Sequence, residues 1–200
     1  MAVLTKLGLA DHGFPCPLEE FETAEFDEGF KYELIDGRLY VSPTANLPED
    51  RNGMWLLEKL FAYKAKHPKA LNYISPKARV FVPGRAEATC PEPDICAYRT
   101  FPVHLPMKEV KWQAVSPILV VEVLFDADPH KDLVRNVELY LQVPSIREYW
   151  IVDARDFPDE PTLIVHRRRG QRWAVRKYQF AETYKTTLLP GFSLLIDPHS

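Results

Sequence analysis

Residues 118–125 have the sequence ILVVEVLF, which is apolar at every position except Glu122. A short apolar run without alternation is typical of a strand that is buried on both faces, so we predict a central strand over residues 117–125. An unpaired ionised carboxylate in such a strand would be strongly destabilising. Glu122 is therefore expected to be neutral, paired with a cation or bound to a metal ion.

Two interpretations of Glu122 follow from this placement. The first is a catalytic or metal-binding role, because carboxylates with perturbed ionisation concentrate at functional sites. The second is a structural ion pair with a cation from a neighbouring strand, such as Arg79. Asp94, in the sequence PEPDIC at residues 91–96, begins another predicted strand. It is either a loop cap or a second acid beside Glu122, and two such carboxylates can share Mg²⁺.

The segments around the central strand predict an α/β chain. Apolar residues recur at three- and four-residue steps in residues 48–67 and 129–143, which predicts two amphipathic helices. Asp36 and Gly37 predict a tight hairpin between residues 32–35 and 38–41, because both positions of its turn accept positive φ. Further strands are predicted at residues 73–82, 94–98, 148–153, 162–168, 173–180 and 192–196, with a proline-rich loop at residues 99–116.

Length and composition describe an ordinary globular chain. It has 200 residues, 46% hydrophobic and 26% charged, with a formal net charge of −3. We predict one domain over residues 30–200, preceded by an acidic, solvated lead-in at residues 1–29. No apolar run reaches the ~20 residues of a membrane span, and residues 1–14 lack an export signal. We therefore expect no membrane partner and a cytoplasmic location. The three cysteines form no CxxC pair, and the reduced thiols that this favours suit that compartment.

Several segments, taken in order, resemble one protein family. They are ELIDGRL at residues 33–39, PDI at 93–95, LVVEVL at 119–124, the helix at 132–140, EYWIVD at 148–153 and LPGF at 189–192. The combination is similar to the Uma-two family, which is catalogued as "putative restriction endonucleases" and was long a domain of unknown function. That family resembles the PD-(D/E)XK nuclease superfamily. The resemblance implies a restriction-endonuclease-like mixed β-sheet flanked by helices, with an additional antiparallel hairpin region.

The resemblance also implies a set of site residues. Asp94 matches the aspartate of the PD element, and Glu122 matches the strand acid of the (D/E)XK element. Together they are expected to hold Mg²⁺ or Mn²⁺. Glu33 matches the glutamate of the opening ELIDG segment and is expected to act as a third acid. The alternative for Glu33 is a solvent-facing hairpin residue.

The lysine of this pattern is missing. Leu124 stands two positions after Glu122, where the superfamily has lysine, and Asn136 stands where the Uma-two family has its own lysine. An amide supplies a dipole in place of a full positive charge. We therefore expect Lys131 or Arg135, on the same predicted helix, to supply the cation that faces the phosphate. The alternative for both is a solvated helix face.

Weaker candidates lie outside this pattern. Lys77 and Arg79 lie on a predicted strand and are further sources of the cation. Asp126 and Asp128 follow the central strand and are either metal ligands or solvated loop residues. The basic run at residues 167–172 is expected either to contact DNA phosphates or to form an exposed hairpin turn.

These observations predict a hydrolase: an endonuclease that depends on Mg²⁺ or Mn²⁺ and cleaves phosphodiester bonds in DNA. Double-strand cleavage in this superfamily usually requires two subunits, so we expect a homodimer. One alternative is a catalytically inactive nuclease-fold descendant that binds DNA or another protein. Another is a protein-interaction scaffold that makes no contact with nucleic acid. Metal binding favours the enzyme, and salt-dependent DNA binding without metal favours the inactive descendant.

Overall fold

The computed structural model describes residues 5–44, 47–125 and 129–200, and a six-stranded mixed sheet forms its centre. The strands are β1 Lys6–Leu7, β2 Glu25–Phe26, β3 Phe30–Ile35, β4 Arg38–Pro43, β5 Tyr73–Ser75, β6 Ile95–Tyr98, β7 Leu119–Leu124, β8 Glu148–Asp153, β9 Thr162–Arg169, β10 Arg172–Tyr178, β11 Thr183–Lys185 and β12 Ser193–Leu195. The helices are α1 Leu18–Thr23, α2 Leu47–Lys66 and α3 Asn136–Leu141, with a π-helical turn over Lys131–Arg135 directly before α3. Short 3-10 turns cover Leu9–Asp11, Met107–Glu109 and Trp112–Ala114.

The central sheet has the strand order β10-β9-β8-β7-β6-β5. Strands β7 and β8 are parallel, and the other neighbouring pairs are antiparallel. All six residues of β7 are buried, which confirms the predicted central strand. Its side chains alternate between two cores: Leu119, Val121 and Val123 pack in the core with α2, whereas Val120 and Leu124 pack in the core with α3. Glu122 therefore shares the face of β7 that α3 covers.

The predicted hairpin is confirmed by β3 and β4, whose turn has positive φ at both Asp36 (49°) and Gly37 (68°). The hairpin and the chain before it form a separate small core. Leu7, Cys16 and Phe21 are buried in that core. The expectation of a solvated lead-in is therefore wrong for these residues, because they cover the outer face of the hairpin. The domain boundary at residues 29/30 stays a prediction.

Other elements differ from the predictions mainly in length. The strand predicted at residues 73–82 ends at Ser75, because Pro76 follows it and cannot donate to a ladder. Beyond it, Val80 and Val82 donate backbone hydrogen bonds to Pro91 and Thr89 outside the regular sheet. The first predicted helix is confirmed as α2, and the second begins with the π-helical turn. Within the described ranges, no helix combines the length and apolar character that a membrane span requires.

Candidate active site

Charged and polar side chains from five parts of the chain meet on the face of the sheet that α3 covers. They come from β3, the residue before β6, β7, the π-helical turn and α3. The set consists of Lys31, Glu33, Asp94, Glu122, Lys131, Asp132, Arg135 and Asn136, and we call it the charged cluster. It includes all six residues predicted for the site. It also includes Lys31 and Asp132, which were not predicted as site residues.

Asp94 and Glu122 both face the ammonium group of Lys31. Ile95 of β6 is opposite Val121 of β7 in the antiparallel register, which places Asp94 beside Glu122. The Nζ of Lys31 donates to Oδ1 of Asp94 at 2.7 Å and lies 4.0 Å from Oε2 of Glu122. The two acids that match the superfamily pattern are therefore neighbours around one cation.

Each of these acids is anchored through its other oxygen. The backbone N–H of Val123 donates to Oδ2 of Asp94 at 2.7 Å. Tyr140 and Asn136 donate to Oε1 of Glu122, at 2.8 and 3.0 Å. These hydrogen bonds fix the carboxylate planes, so that one oxygen of each acid points towards Lys31.

Glu122 is the most buried acid of this pair, with 1% of its surface exposed. Burial raises the pKa of Glu122 well above its usual range, and the neighbouring Asp132 carboxyl raises it further. Lys131 and Lys31 lower this pKa but do not offset the two other effects. The interpretation that Arg79 pairs with Glu122 is wrong, because Arg79 donates to Glu92 at 2.6 Å. The cation that faces Glu122 comes from the hairpin strand β3.

Glu33 is buried and bound by cations from the neighbouring helix. Arg135 donates to its Oε2 at 2.8 Å, Lys131 lies 3.8 Å from the same atom, and the backbone N–H of Glu92 donates to Oε1 at 3.1 Å. Burial acts to raise the pKa of Glu33, but Lys131 and Arg135 outweigh it and lower that pKa. The solvent-facing alternatives for Glu33, Lys131 and Arg135 are therefore wrong. Both cations point into the cluster.

Asn136 bridges two carboxyl groups at the position where the family pattern has lysine. Its Nδ2 donates to Oε1 of Glu122 and to Oδ1 of Asp132, both at 3.0 Å. Its Oδ1 accepts from Nε of Arg135 at 3.1 Å. Burial raises the pKa of Asp132 to about 6. The amide therefore satisfies both acids by hydrogen bonding but brings no positive charge to them.

The charged cluster contains one more carboxyl group than cations. Its acids are Glu33, Asp94, Glu122 and Asp132, and its cations are Lys31, Lys131 and Arg135. Excess negative charge in a buried site requires either a bound proton or an additional cation. Burial raises the pKa values of Glu122 and Asp132, so these two acids are the ones that favour the protonated form.

The charged cluster contains the oxygen donors that a divalent cation prefers. Asp94 and Glu122 supply carboxylate oxygens from neighbouring strands, and both already face a positive charge at Lys31. Mg²⁺ prefers oxygen ligands and is usually bound by one or two carboxylates together with water. In the described ranges no group of three or more His, Cys, Asp or Glu side chains is placed to hold a metal ion. The described residues thus offer a pair of carboxylates and, among themselves, no closed protein cage.

Lys31 is the main residue that the sequence reasoning missed. It lies two positions before Glu33 on the same face of β3, and this spacing was the available signal. Lys77 is exposed and is not part of the cluster. The predictions for Asp126 and Asp128 lie outside the described residues.

The mixed sheet, with acids on one face and an added hairpin, is the restriction-endonuclease-like architecture that the sequence resemblance implies. Residues 18–197 match the sequence profile of the Uma2 family, described as "Putative restriction endonuclease". The chain therefore belongs to the Uma2 family, and the resemblance found in its sequence is confirmed.

A solved structure shows the same fold. It is the crystal structure of "a putative nuclease belonging to DUF820" from Anabaena variabilis, with a TM-score of 0.64 and 16% sequence identity. The match covers 91% of this chain and 96% of that chain. The likeness confirms the predicted mixed α/β fold. A search of curated proteins finds no match.

Proposed function

We propose that this protein is a divalent-metal-dependent endonuclease that hydrolyses phosphodiester bonds in DNA. The observation that carries the proposal is the placement of Asp94 and Glu122, which face one cation inside a partly buried cluster of acids and bases. Membership of the Uma2 family supports the same class of activity. The excess of carboxyl groups over cations in the cluster supports binding of an additional cation.

Asp94 and Glu122 are the residues that would hold Mg²⁺ or Mn²⁺. When bound, such an ion polarises a phosphate oxygen and lowers the pKa of a coordinated water molecule. Val123 anchors one oxygen of Asp94, and Asn136 and Tyr140 anchor one oxygen of Glu122. These contacts hold the acids in place before substrate arrives, which reduces the reorganisation that the reaction requires.

Lys31 is the cation that we assign to the phosphate. Its side chain is 21% exposed, so solvent reaches part of it beside the two acids. Burial acts to lower the pKa of Lys31, but Asp94, Glu122 and Glu33 outweigh it and raise that pKa, so the ammonium stays charged. A fixed positive charge stabilises the negative charge that develops on the phosphate in the transition state. Lys131 and Arg135, held by Glu33, add positive charge on the side of the helix.

The wider setting is part of the same proposal. Cleavage of both DNA strands needs two catalytic centres, so we propose that the protein acts as a homodimer. Cys16, Cys90 and Cys96 are all free and buried, and we propose a cytoplasmic location, where thiols stay reduced.

Asn136 favours a second candidate function. It replaces a charged group with a fully buried amide that already satisfies Glu122 and Asp132 without any metal. A chain in which catalysis has been lost would keep such a network for stability and bind DNA or a protein partner without cleaving it.

Nicking of supercoiled plasmid separates the two functions. We expect the wild type to nick plasmid with Mg²⁺ or Mn²⁺, and both a chelator and Glu122→Gln to abolish nicking. Glu138→Gln is the matched control, because Glu138 is an exposed acid on α3. Absence of nicking by wild type that still binds the plasmid would support the inactive descendant.

A further inference from the structure

A second charged region lies at the opposite edge of the sheet from the acids. Glu148 is the first residue of β8 and Arg99 directly follows β6, so this edge is where β7 and β8 begin. Asp94, in contrast, precedes β6 at the other edge. A cleft of about 270 Å³ opens here. Its charged lining consists of Arg99, Arg147, Arg167, Arg168, Arg169 and Glu148, and we call it the arginine cleft.

Glu148 does not neutralise this cleft, because its own hydrogen-bonding capacity is already used. Arg167 and Thr186 donate to its Oε1 at 2.9 and 2.7 Å. Trp150 and Tyr184 donate to its Oε2 at 2.9 and 2.8 Å. An ionised carboxylate has about four acceptor sites, and the protein fills them. The carboxylate compensates for Arg167 and leaves the other arginines without an acidic partner in the cleft.

The remaining arginines differ in how strongly the protein holds them. Arg168 donates to four backbone carbonyl oxygens, and Arg99 donates to those of Ala70 and Leu188. Carbonyl groups fix these side chains but carry no net charge. Arg147 and Arg169 are exposed, and in the described part of the chain their guanidinium groups make no hydrogen bond or ion pair. Their donors are available to a ligand.

Like charges this close together repel one another. Burial lowers the pKa of Arg168, and the positive charge of Arg147 adds to that effect. An anion in the cleft would relieve the repulsion. Guanidinium groups donate in planar forks that match the oxygen atoms of phosphate groups, so several of them around one cleft favour phosphate over a simple halide ion.

We propose that the arginine cleft binds a phosphate group, at a site separate from the charged cluster. Arg167 and Arg168 form its fixed wall, and Arg147 and Arg169 close on the ligand from the solvent side. The phosphate belongs either to a nucleic-acid backbone or to a free small anion. The site goes beyond the proposed nuclease activity, since none of the metal-binding acids lines the cleft.

The double variant Arg147→Gln/Arg169→Gln tests the proposal without disturbing the hydrogen bonds inside the protein. Arg176→Gln/Lys177→Gln is the matched control, because it removes the same charge from exposed positions of β10 outside the cleft. Two probes are used: inorganic phosphate by titration calorimetry, and a fluorescent 16-base-pair DNA duplex by anisotropy in a metal chelator. We expect the cleft variant to weaken binding about tenfold and the control to change it less than about twofold.

The two probes distinguish the sources of the phosphate. Weaker binding of the duplex, with the slope of log K against log salt concentration reduced in magnitude by about 2, supports a nucleic-acid backbone as the source of the phosphate. Weaker binding of inorganic phosphate alone supports a free anion. Equal losses in the cleft variant and the control, or no loss in either, would overturn the proposal. Plasmid nicking by the wild type reports on the charged cluster independently of these variants, so failure of the cleft and failure of the nuclease are seen separately.

Discussion

Lys31 lies beside both acids of the proposed metal site. The side chain at the family's lysine position, Asn136, is fully buried and neutral, whereas the Nζ of Lys31 lies 2.7 Å from Asp94 and 4.0 Å from Glu122. Lys131 and Arg135 form their ion pairs with Glu33. Among these cations, Lys31 is therefore the one placed beside both acids.

Replacing Lys31 tests this assignment. We expect Lys31→Met to lower the rate of plasmid nicking about 100-fold or more, because it removes a preorganised charge from the transition state. DNA binding measured in a chelator is expected to change much less. Lys77→Met, at an exposed lysine outside the cluster, is expected to nick like the wild type. If Lys31→Met nicked plasmid at the wild-type rate, Lys131 or Arg135 would be the cation that faces the phosphate.

Asp132 predicts a specific pH dependence of stability. Burial raises its pKa in the folded protein to about 6, above the usual unfolded value of about 3.9. The folded state therefore binds the proton more tightly, and stability is lost as pH rises from about 4 to about 6. Asp132→Asn keeps an oxygen that accepts from Asn136 but cannot ionise.

The measurement is urea unfolding of the wild type and Asp132→Asn in a chelator between pH 4 and pH 7. We expect the free energy of unfolding of the wild type to fall relative to the variant by up to about 3 kcal/mol across this range. Asp94 and Glu33 have lowered pKa values, so their effects lie at lower pH. The pKa of Glu122 is also raised, in part by Asp132, so the difference between the two proteins reports on this pair of acids. Parallel pH profiles would show that Asp132 and its interaction with Glu122 do not raise proton binding in the folded state.

At the scale of single elements, local signals in the sequence predicted well. The Asp36-Gly37 turn requires positive φ at two adjacent positions, and the hairpin follows from that requirement alone. The apolar run around Glu122 predicts β7 at the centre of the sheet, because a strand without a polar face must be covered on both sides. These features depend on few residues and little context.

Features that depend on packing between distant elements were not predicted. Lys31 reaches Asp94 only because the hairpin folds over the start of β6, 63 residues later in the chain. Arg168 was assigned either to DNA or to an exposed turn, yet it reaches back to the end of α3. Charge patterns along a sequence cannot show which partner a long side chain will meet.

Arg168 stabilises the C-terminal end of α3. It donates to the carbonyl oxygens of Tyr140, Leu141, Val143 and Ile146 at 2.6 to 3.0 Å. Carbonyl groups at a helix end have no partner within the helix, and a cation there also interacts favourably with the helix dipole. The same helix carries Asn136 and Tyr140, so the arginine also supports the anchoring of Glu122.

We expect Arg168→Met to lower the free energy of unfolding by about 3 kcal/mol, because it keeps the apolar stem but removes the donor to the carbonyl groups of Leu141 and Ile146. Plasmid nicking is expected to fall with it, since α3 orients Glu122. Arg176→Met, at an exposed position of β10, is expected to change stability by less than about 0.5 kcal/mol. Equal stability of the two variants in urea unfolding would show that water replaces Arg168 at the helix end.

At the scale of the whole molecule, the sheet separates two charged regions. The charged cluster lies on the α3 face near the start of β6, and the arginine cleft lies at the edge where β7 and β8 begin. If one DNA molecule contacted both regions, the arginine cleft would bind phosphate groups that lie away from the cleaved bond. The described residues include one pair of acids to which we assign the metal, so we expect each copy to cleave one strand at a time.

The last prediction concerns the number of copies. We expect light scattering to give twice the chain mass of 23.1 kDa, and plasmid cleavage to produce linear DNA without prior accumulation of nicked circles. A dimer places two catalytic centres on one duplex, so the second cut follows the first before dissociation. A monomer would release nicked circles. Linear DNA would then form late, at a rate that depends more steeply on the protein concentration. A monomeric mass with early linear product would contradict the requirement for two centres, because a single pair of acids would then be cutting both strands in one encounter.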